Sequence, residues 1–236
     1  MHGCRAGRRI ERKGSADDYR HRMSKLRSGE AVSSLLDHWR LLRNSVHPLD
    51  AGVFEGRTHT FNLDFPPPAF IGDLENAPVI LLEANGGYDP IITPSEFPDR
   101  RAIDRYLGML HDPQPIEPST VAPYYGKRNY ARHIARGLLV LVNAVAYRSA
   151  GISREPLNRA VAEELPSTAV HRNWLRTEVL PTALGGDRLV IAHRNGLWKL
   201  KRDELDSPYV RFSANARSPD LSREALSAIA DFTRTR

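Results

Sequence analysis

Two asparagines, each placed after a run of aliphatic residues, are the side chains in this sequence best suited to chemistry. Asn85 follows the aliphatic run at 79–82, and Asn143 ends the run at 138–142. A short, wholly apolar run bounded by turn residues is typical of a strand buried on both faces, as in a parallel sheet. Ligands of such sheets bind just beyond the carboxyl ends of the strands. Because an amide offers a carbonyl acceptor and two donors, the pair suits the reading of a heterocycle edge.

The residues after Asn85 complete this first candidate site. Gly86 and Gly87 allow the backbone to turn sharply or to approach a ligand closely. Asp89 then supplies a carboxylate within reach of the same loop. The alternative interpretation is an ordinary strand-to-loop turn with a solvated Asn and Asp, and spacing alone leaves both open.

Apolar runs and turn residues predict the elements that position these side chains. Strands are expected at 79–83, 138–142, 189–192 and 209–214, and helices at 30–44, 103–110, 155–164, 168–183 and from Ser218 onward. Alternation of strands and helices predicts one three-layer α/β/α domain with a largely parallel four-stranded sheet. The last strand alternates apolar and polar residues, which indicates an edge or half-exposed strand.

The charge of the chain divides it into two parts. Residues 1–28 carry nine Lys or Arg and three Asp or Glu, which accounts for the whole net charge of +6. We therefore predict a basic, disordered and dispensable tail at 1–28 and a neutral domain at 29–236. An arginine-rich arm adds salt-sensitive affinity for nucleic acid. The alternative is a leader without function, or a translation start that belongs at Met23.

The composition also excludes several classes of protein. A single cysteine, Cys4, rules out a disulfide framework, a cysteine-rich zinc site and a chain-ligated iron–sulfur cluster. No apolar run approaches the roughly 18 residues of a membrane span, and no signal peptide is present. We therefore expect a cytoplasmic, monomeric protein without a membrane partner. His171 and His193 are isolated histidines, for which a structural or solvated position is expected.

Three segments, in order across roughly residues 69–233, resemble the motifs of the uracil-DNA glycosylase superfamily. Segment 85–88 is similar to the water-activating motif, which reads Asn-Pro-Gly in the Asn-bearing branches. Segment 137–145 resembles the strand whose terminal Asn, here Asn143, reads the flipped uracil. Segment 212–222 resembles the His-Pro-Ser-Pro-Leu-Ser motif, whose loop enters the minor groove and holds the DNA backbone. The resemblance implies a fold of this superfamily.

The function implied by the resemblance is DNA base excision, the hydrolysis of the N-glycosidic bond of uracil or a related damaged base. Asn143 would pair with the base, Asn85 would position the water, and Tyr88 would wall the pocket. The implied site comprises catalytic Asn85, Tyr88 and Asp89; base-binding Asn143, Gly86 and Gly87; and DNA-backbone-binding Asn215, Arg217 and Ser218. No metal or organic cofactor is implied, and the partner is single- or double-stranded DNA or a nucleotide.

Three departures from the motifs keep other functions open. Glu83 stands where the superfamily usually has Gly, Gly86 stands where it usually has Pro, and the third motif lacks its histidine. Asn215 or Arg217 would then have to stabilise the leaving base. One alternative is a non-catalytic nucleotide- or nucleic-acid-binding module on the same fold. Another is a small-molecule hydrolase using His193 or Asp89, for which no Gly-x-Ser-x-Gly, Walker or His-Glu-x-x-His motif is found.

Overall fold

The computed structural model of the chain describes residues 34–205, 207–214 and 216–234. The predicted tail at 1–28 and the candidate residue Asn215 lie outside the described residues. The strands are β1 (Phe70–Ile71), β2 (Val79–Gly87), β3 (Leu139–Ser149), β4 (Leu189–Ala192) and β5 (Val210–Phe212).

The α-helices of the described residues lie before β1, between β2 and β3, between β3 and β4, and after β5. They are α1 (Leu35–Trp39), α2 (Ala51–Phe54), α3 (Ile92–Glu96), α4 (Arg100–His111), α5 (Pro123–Gly126), α6 (Ala131–Ala135), α7 (Pro156–Glu164), α8 (Pro166–Trp174), α9 (Leu180–Leu184) and α10 (Arg223–Arg234). A π-helical stretch (Leu175–Val179) joins α8 to α9, and short 3-10 turns lie at Pro118–Thr120, Ile152–Arg154, Gly196–Trp198 and Arg202–Glu204. None of these helices has both the length and the apolar character needed to cross a bilayer.

The five strands form one mixed sheet in the order β1-β3-β2-β4-β5. Strands β3, β2, β4 and β5 run parallel, whereas β1 is antiparallel to β3. The prediction of an α/β fold with a largely parallel sheet is confirmed, but the predicted number of four strands is wrong. The additional strand β1 has only two residues, which is too short for periodicity to reveal.

Strands β2 and β3 are both longer than predicted, and this changes the setting of Asn85. Their pairing continues past the apolar runs to Asn85↔Val145 and then, after a register shift, to Gly87↔Ser149. Asn85 therefore lies inside β2 and not in a loop after it. The cause is β3, whose eleven residues are all buried and which offers a continuous partner up to Ser149.

The buried strands show that the sheet is covered on both faces near its centre. Every residue of β3 and β4 is buried, although neighbouring side chains along a strand point to opposite faces. Edge strand β5 has the pattern buried, exposed, intermediate, as its alternating sequence predicts. The direction in which the chain adds strands reverses at β2. After β2 the chain forms β3 on one side of it, and then returns to form β4 on the other side of β2. Such a switch point is where open α/β sheets bind ligands.

Several predicted helix boundaries are wrong. α1 occupies 35–39 of the predicted 30–44, of which 30–33 lie outside the described residues. The final helix begins at Arg223, with the Oγ of Ser222 accepting from the N–H of Ala225 (3.3 Å), and not at Ser218. Arg128, Arg132 and Arg136 are spaced by four in the sequence but do not share one helix, since α6 covers only Ala131–Ala135.

Three buried histidines form a polar cluster beneath β3. The rings of His38 and His47 stack with centroids 3.8 Å apart, and His171 accepts a hydrogen bond from the indole N–H of Trp39 at 2.7 Å. The Nδ1 of His171 donates to the carbonyl of Asn143 at 2.6 Å. Burial lowers the pKa of His38 and His47, and lowers that of His171 to about 4. The cluster is therefore uncharged in the folded protein, and His171 is structural as predicted.

We expect His38→Phe to stabilise the protein in acid and to change little at pH 8. Neither ring nitrogen of His38 has a partner among the described residues, so Phe loses no hydrogen bond there. A lowered pKa means that only the unfolded state binds a proton below about pH 6.5, so wild-type stability falls as the pH drops. Chemical denaturation should give the variant an advantage at pH 5 of at most about 2 kcal/mol, the limit set by an unfolded pKa of about 6.5. An equal effect at both pH values would show that His38 is not held neutral by burial.

Candidate functional site

A row of three buried polar side chains crosses the central strands at the level where β4 ends, within the longer strands β2 and β3. The register pairs Glu83 of β2 with Asn143 of β3, and it pairs Leu82 with Ala192, so that His193 follows at the same level beside β4. Asn143 and His193 are 0% exposed and Glu83 is 6% exposed. We call these three residues the polar row. They lie beside the switch point of the sheet, among aliphatic side chains.

Glu83 is the ionisable centre of the polar row. The Nε of Arg194 lies 3.4 Å from its carboxylate, and the Nε2 of His193 lies 3.9 Å from it. Burial raises the pKa of Glu83 to about 7, because the loss of solvent outweighs the opposing charge of Arg194. The carboxyl group is therefore poised to take up or release a proton near neutral pH.

Asn143 presents an unsatisfied acceptor in the same row. Its Nδ2 donates to the carbonyl of Pro68 and lies 3.5 Å from the hydroxyl of Tyr125. No donor among the described residues reaches its Oδ1, although that atom is buried. A buried carbonyl left unpaired costs about 1–3 kcal/mol. Such a group is expected where a ligand supplies the missing donor.

Asn85 lies two residues beyond Glu83 on β2 and so on the same face of the sheet. Its Nδ2 donates to the carbonyl of Gly86 at 2.8 Å and to the Oγ of Ser149 at 3.0 Å. The side chain is half-buried, and no hydrogen bond from the described residues reaches its Oδ1. The amide is thus held rigidly with its carbonyl oxygen open, an arrangement that can orient a water molecule.

The two glycines after Asn85 differ in their surroundings. A Cβ at Gly86 would lie 2.1 Å from the Cγ of Pro68, so only glycine fits there. Gly87 is exposed with open space around it. The close approach at Gly86 brings Pro68, the acceptor of the Asn143 amide, against the extension of β2.

Tyr88 and Asp89 lie further from the polar row. Tyr88 is half-buried, and its N–H donates to the carbonyl of Ser149 at 3.2 Å. Asp89 is exposed, and its Oδ1 accepts from the N–H groups of Ile91 and Ile92, both at 2.8 Å. These backbone donors lower the pKa of Asp89. Asp89 therefore organises the turn into α3.

Segment 216–221 is fastened to the polar row through its backbone. The carbonyl of Ser218 accepts from the Nε2 of His193 at 2.8 Å, and the carbonyl of Ala216 accepts from the Nε of Arg194 at 3.1 Å. Asn129 binds both backbone groups of Leu221, accepting at 3.1 Å and donating at 2.8 Å. We call 216–221 the covering segment.

Two of the residues proposed to bind the DNA backbone belong to the covering segment. Arg217 is exposed and Ser218 is half-buried. The Oγ of Ser218 accepts from the N–H of Asp220 at 3.1 Å. Arg217 thus lies on the surface between Ala216 and Ser218, whose carbonyls bind Arg194 and His193.

One other cluster has the composition of a metal site. His38, His47 and Asp50 place ligand atoms within 4.8 Å of one another. The two imidazole rings are stacked, so their in-plane lone pairs run side by side and do not converge. The oxygens of Asp50 accept from the N–H of Ser167 and the hydroxyl of Tyr147. Both carboxylate oxygens of Asp50 thus have a hydrogen-bond donor within the fold, and we assign the cluster a structural role.

Glu83, His193, Arg194 and Tyr125 are the site residues that sequence motifs did not identify. A signal for Glu83 was present, because it is a charged residue directly after a fully apolar run. Burial of an unpaired charge is expensive, so such a position indicates either a partner or a functional carboxyl. His193 and Arg194 follow the third apolar run in the same way as Asn143 follows the second.

Comparisons with models of known protein families, with curated proteins and with solved structures find no match for this chain. The activity of the site must therefore be inferred from its own chemistry.

We expect Glu83→Gln to gain stability relative to wild type as the pH rises. The raised pKa means that folded Glu83 holds its proton more tightly than the unfolded chain does, so wild-type stability is lost between about pH 4.5 and pH 7. The amide does not ionise and escapes this loss, which corresponds to about 3 kcal/mol. Denaturant melts at pH 4.5 and pH 8 measure the difference.

The exposed Glu117→Gln is the matched control and should show no such change with pH. A difference between Glu83→Gln and wild type that is the same at both pH values would contradict the account of Glu83.

Proposed function

We propose that this protein hydrolyses the N-glycosidic bond of a flipped base in DNA, on a fold of the uracil-DNA glycosylase type. The observation that supports this most directly is the unpaired, buried Oδ1 of Asn143, the fifth of the eleven residues of β3. A base entering the switch point would bring a ring N–H or an exocyclic amino group to that oxygen. A site with an unfilled acceptor favours ligands that supply the donor and rejects those that do not.

The two asparagines have different roles, base binding for Asn143 and water positioning for Asn85. Asn143 is fully buried and holds the base, whereas Asn85 is half-buried and lies nearer the carboxyl end of β2, where the sugar would lie. The open Oδ1 of Asn85 accepts a hydrogen bond from water and holds it against the anomeric carbon. An amide orients this water without taking its proton, so the reaction depends on positive charge developing on the sugar before attack.

The surface beside the polar row offers contacts for a nucleic acid strand. Arg217 is exposed on the covering segment, and the guanidinium of Arg128 lies 4.7 Å from the ring centroid of Tyr124, which is itself exposed. Arginine side chains bind phosphates, and exposed aromatic rings stack with unpaired bases. These features support an extrahelical or single-stranded substrate.

A second candidate function is a non-catalytic nucleotide- or nucleic-acid-binding module. One observation in its favour is that the Asn85 amide is not a base and cannot take a proton from water. Another is that the covering segment is hydrogen-bonded to His193 and Arg194 through its backbone carbonyls. Such a module would use Asn143 for the same base contact without turnover.

We expect Asn143→Ala and Asn85→Ala to fail in different ways. Asn143→Ala should lose base recognition and lower excision by at least about 100-fold, which corresponds to about 2.7 kcal/mol. Asn85→Ala should lower turnover by at least about 10-fold while DNA affinity changes less than about 3-fold, because it contacts water and not phosphate. The assay is alkaline strand scission of labelled oligonucleotides carrying uracil, hypoxanthine or other deaminated bases, in single and double strands.

Asn173→Ala, on the exposed surface of α8, is the matched control and should retain full activity. If wild type binds the DNA but excises no base even at stoichiometric protein, the result would support the non-catalytic binding module instead. Excision that survives Asn143→Ala would overturn the assignment of the base site.

A further inference from the structure

Glu83 lies where a base held by Asn143 would also meet it. The two residues are register partners on adjacent parallel strands, so they stand about 4.8 Å apart on the same face of the sheet. Tyr125 lies near both residues. The hydroxyl of Tyr125 is 3.5 Å from the Nδ2 of Asn143, and burial, with a further contribution from the charge of Glu83, raises the pKa of the Tyr125 hydroxyl. Any base edge that reaches the Oδ1 of Asn143 therefore also faces the carboxyl group.

We propose that Glu83 is a catalytic residue of this site, donating a proton to the departing base while Asn143 holds that base. The inference rests on the proposed function, and it supplies the group that would replace the histidine missing from the third motif. Neither Asn143 nor Asn85 has a titratable proton, so neither can neutralise the charge that builds up on the base.

The groups that face Glu83 leave it as the acid of the site. Arg194 is the cation beside it, and His193 is kept uncharged because burial lowers its pKa. Burial keeps Tyr125 and Tyr130 protonated, raising the pKa of Tyr125 to about 12. Burial raises the pKa of Glu83 to about 7, so its carboxyl group exchanges its proton near neutral pH.

The other acids near the site are less suitable. Asp89 is exposed, and its carboxylate is held ionised by two backbone N–H groups. The Nε2 of His193 is committed to the carbonyl of Ser218, and a proton on its Nδ1 would cost the burial of a charge. The side chain of Glu83 is 7% exposed, which leaves a route for its proton to return from solvent.

The bond between the sugar and the base nitrogen breaks, and its electron pair moves onto the base. The proton of the Glu83 carboxyl group passes to a ring nitrogen or carbonyl oxygen of the base. The water held by Asn85 forms the new bond to the anomeric carbon and loses one proton to solvent, and a solvent proton restores Glu83. An ionised Glu83 would repel the developing negative charge on the base.

The test is the pH dependence of single-turnover excision between pH 5.5 and pH 8.5. Wild type should lose activity above about pH 7, about 10-fold for each pH unit. Glu83→Gln retains a hydrogen-bond donor without a transferable proton, so its rate should be about 10- to 100-fold lower at pH 6 and should no longer fall with pH. The exposed Glu117→Gln should reproduce the wild-type profile.

Binding of free uracil, measured by calorimetry over the same pH range, separates this inference from the proposed function. If wild type excises bases but its rate does not fall above pH 7, or if Glu83→Gln keeps the fall, the role of Glu83 is overturned while the excision function stands. If wild type excises nothing, both the excision function and the proton transfer from Glu83 are overturned. In that case, a uracil affinity that decreases as the pH rises in wild type, but not in Glu83→Gln, would show that the Glu83 carboxyl group belongs to a binding site without catalysis.

Discussion

The pairing of β2 with β3 is the constraint on which the rest of this structure depends. Its parallel register brings Glu83 beside Asn143 and carries Asn85 two residues further along the same face. The same pairing extends to Gly87 and Ser149, which turns a predicted loop into a strand and fixes the Asn85 amide through Ser149. A slip of one residue would move the side chains of one strand to the opposite face and dismantle the polar row.

The polar row lowers the folding stability of the protein, because it buries polar groups without full hydrogen bonding. An ionisable carboxyl group, an unpaired amide carbonyl and an imidazole with an unpartnered Nδ1 are all removed from solvent there. Each of these groups would be replaced by an aliphatic residue if stability alone decided the sequence. Their concentration at the switch point of the sheet, where ligands of this fold class bind, is the physical argument that the row is functional.

Much of the fold could be predicted from the sequence, because three apolar runs and one alternating segment marked the four parallel strands. Asn143 was found because it ends an apolar run, although the structure places it inside β3, which continues for six residues beyond it. The two-residue strand β1 had no periodic signal. The length of β3 was also hidden, because Arg148 is buried against Glu96, a tertiary ion pair at 3.4 Å that no local pattern reveals.

The covering segment illustrates the same limit. Ser218 and Pro219 have the composition of a helix start, yet the helix begins at Arg223 because 216–221 is held instead by His193, Arg194 and Asn129. These contacts join residues more than twenty positions apart, so local propensity could not anticipate them. Glu83 was noticed only as a departure from a motif, since its partners on β3 and β4 become neighbours only in the folded sheet.

The most direct test of the central claim is a crystal structure of the full chain with a single-stranded oligonucleotide containing 2′-deoxypseudouridine, whose carbon–carbon link to the sugar resists hydrolysis. The account predicts that the base lies between β2 and the covering segment, with a ring N–H about 2.7–3.2 Å from the Oδ1 of Asn143 and a second polar atom within the same distance of Glu83. A base bound elsewhere, with the Oδ1 of Asn143 still unpaired, would contradict it.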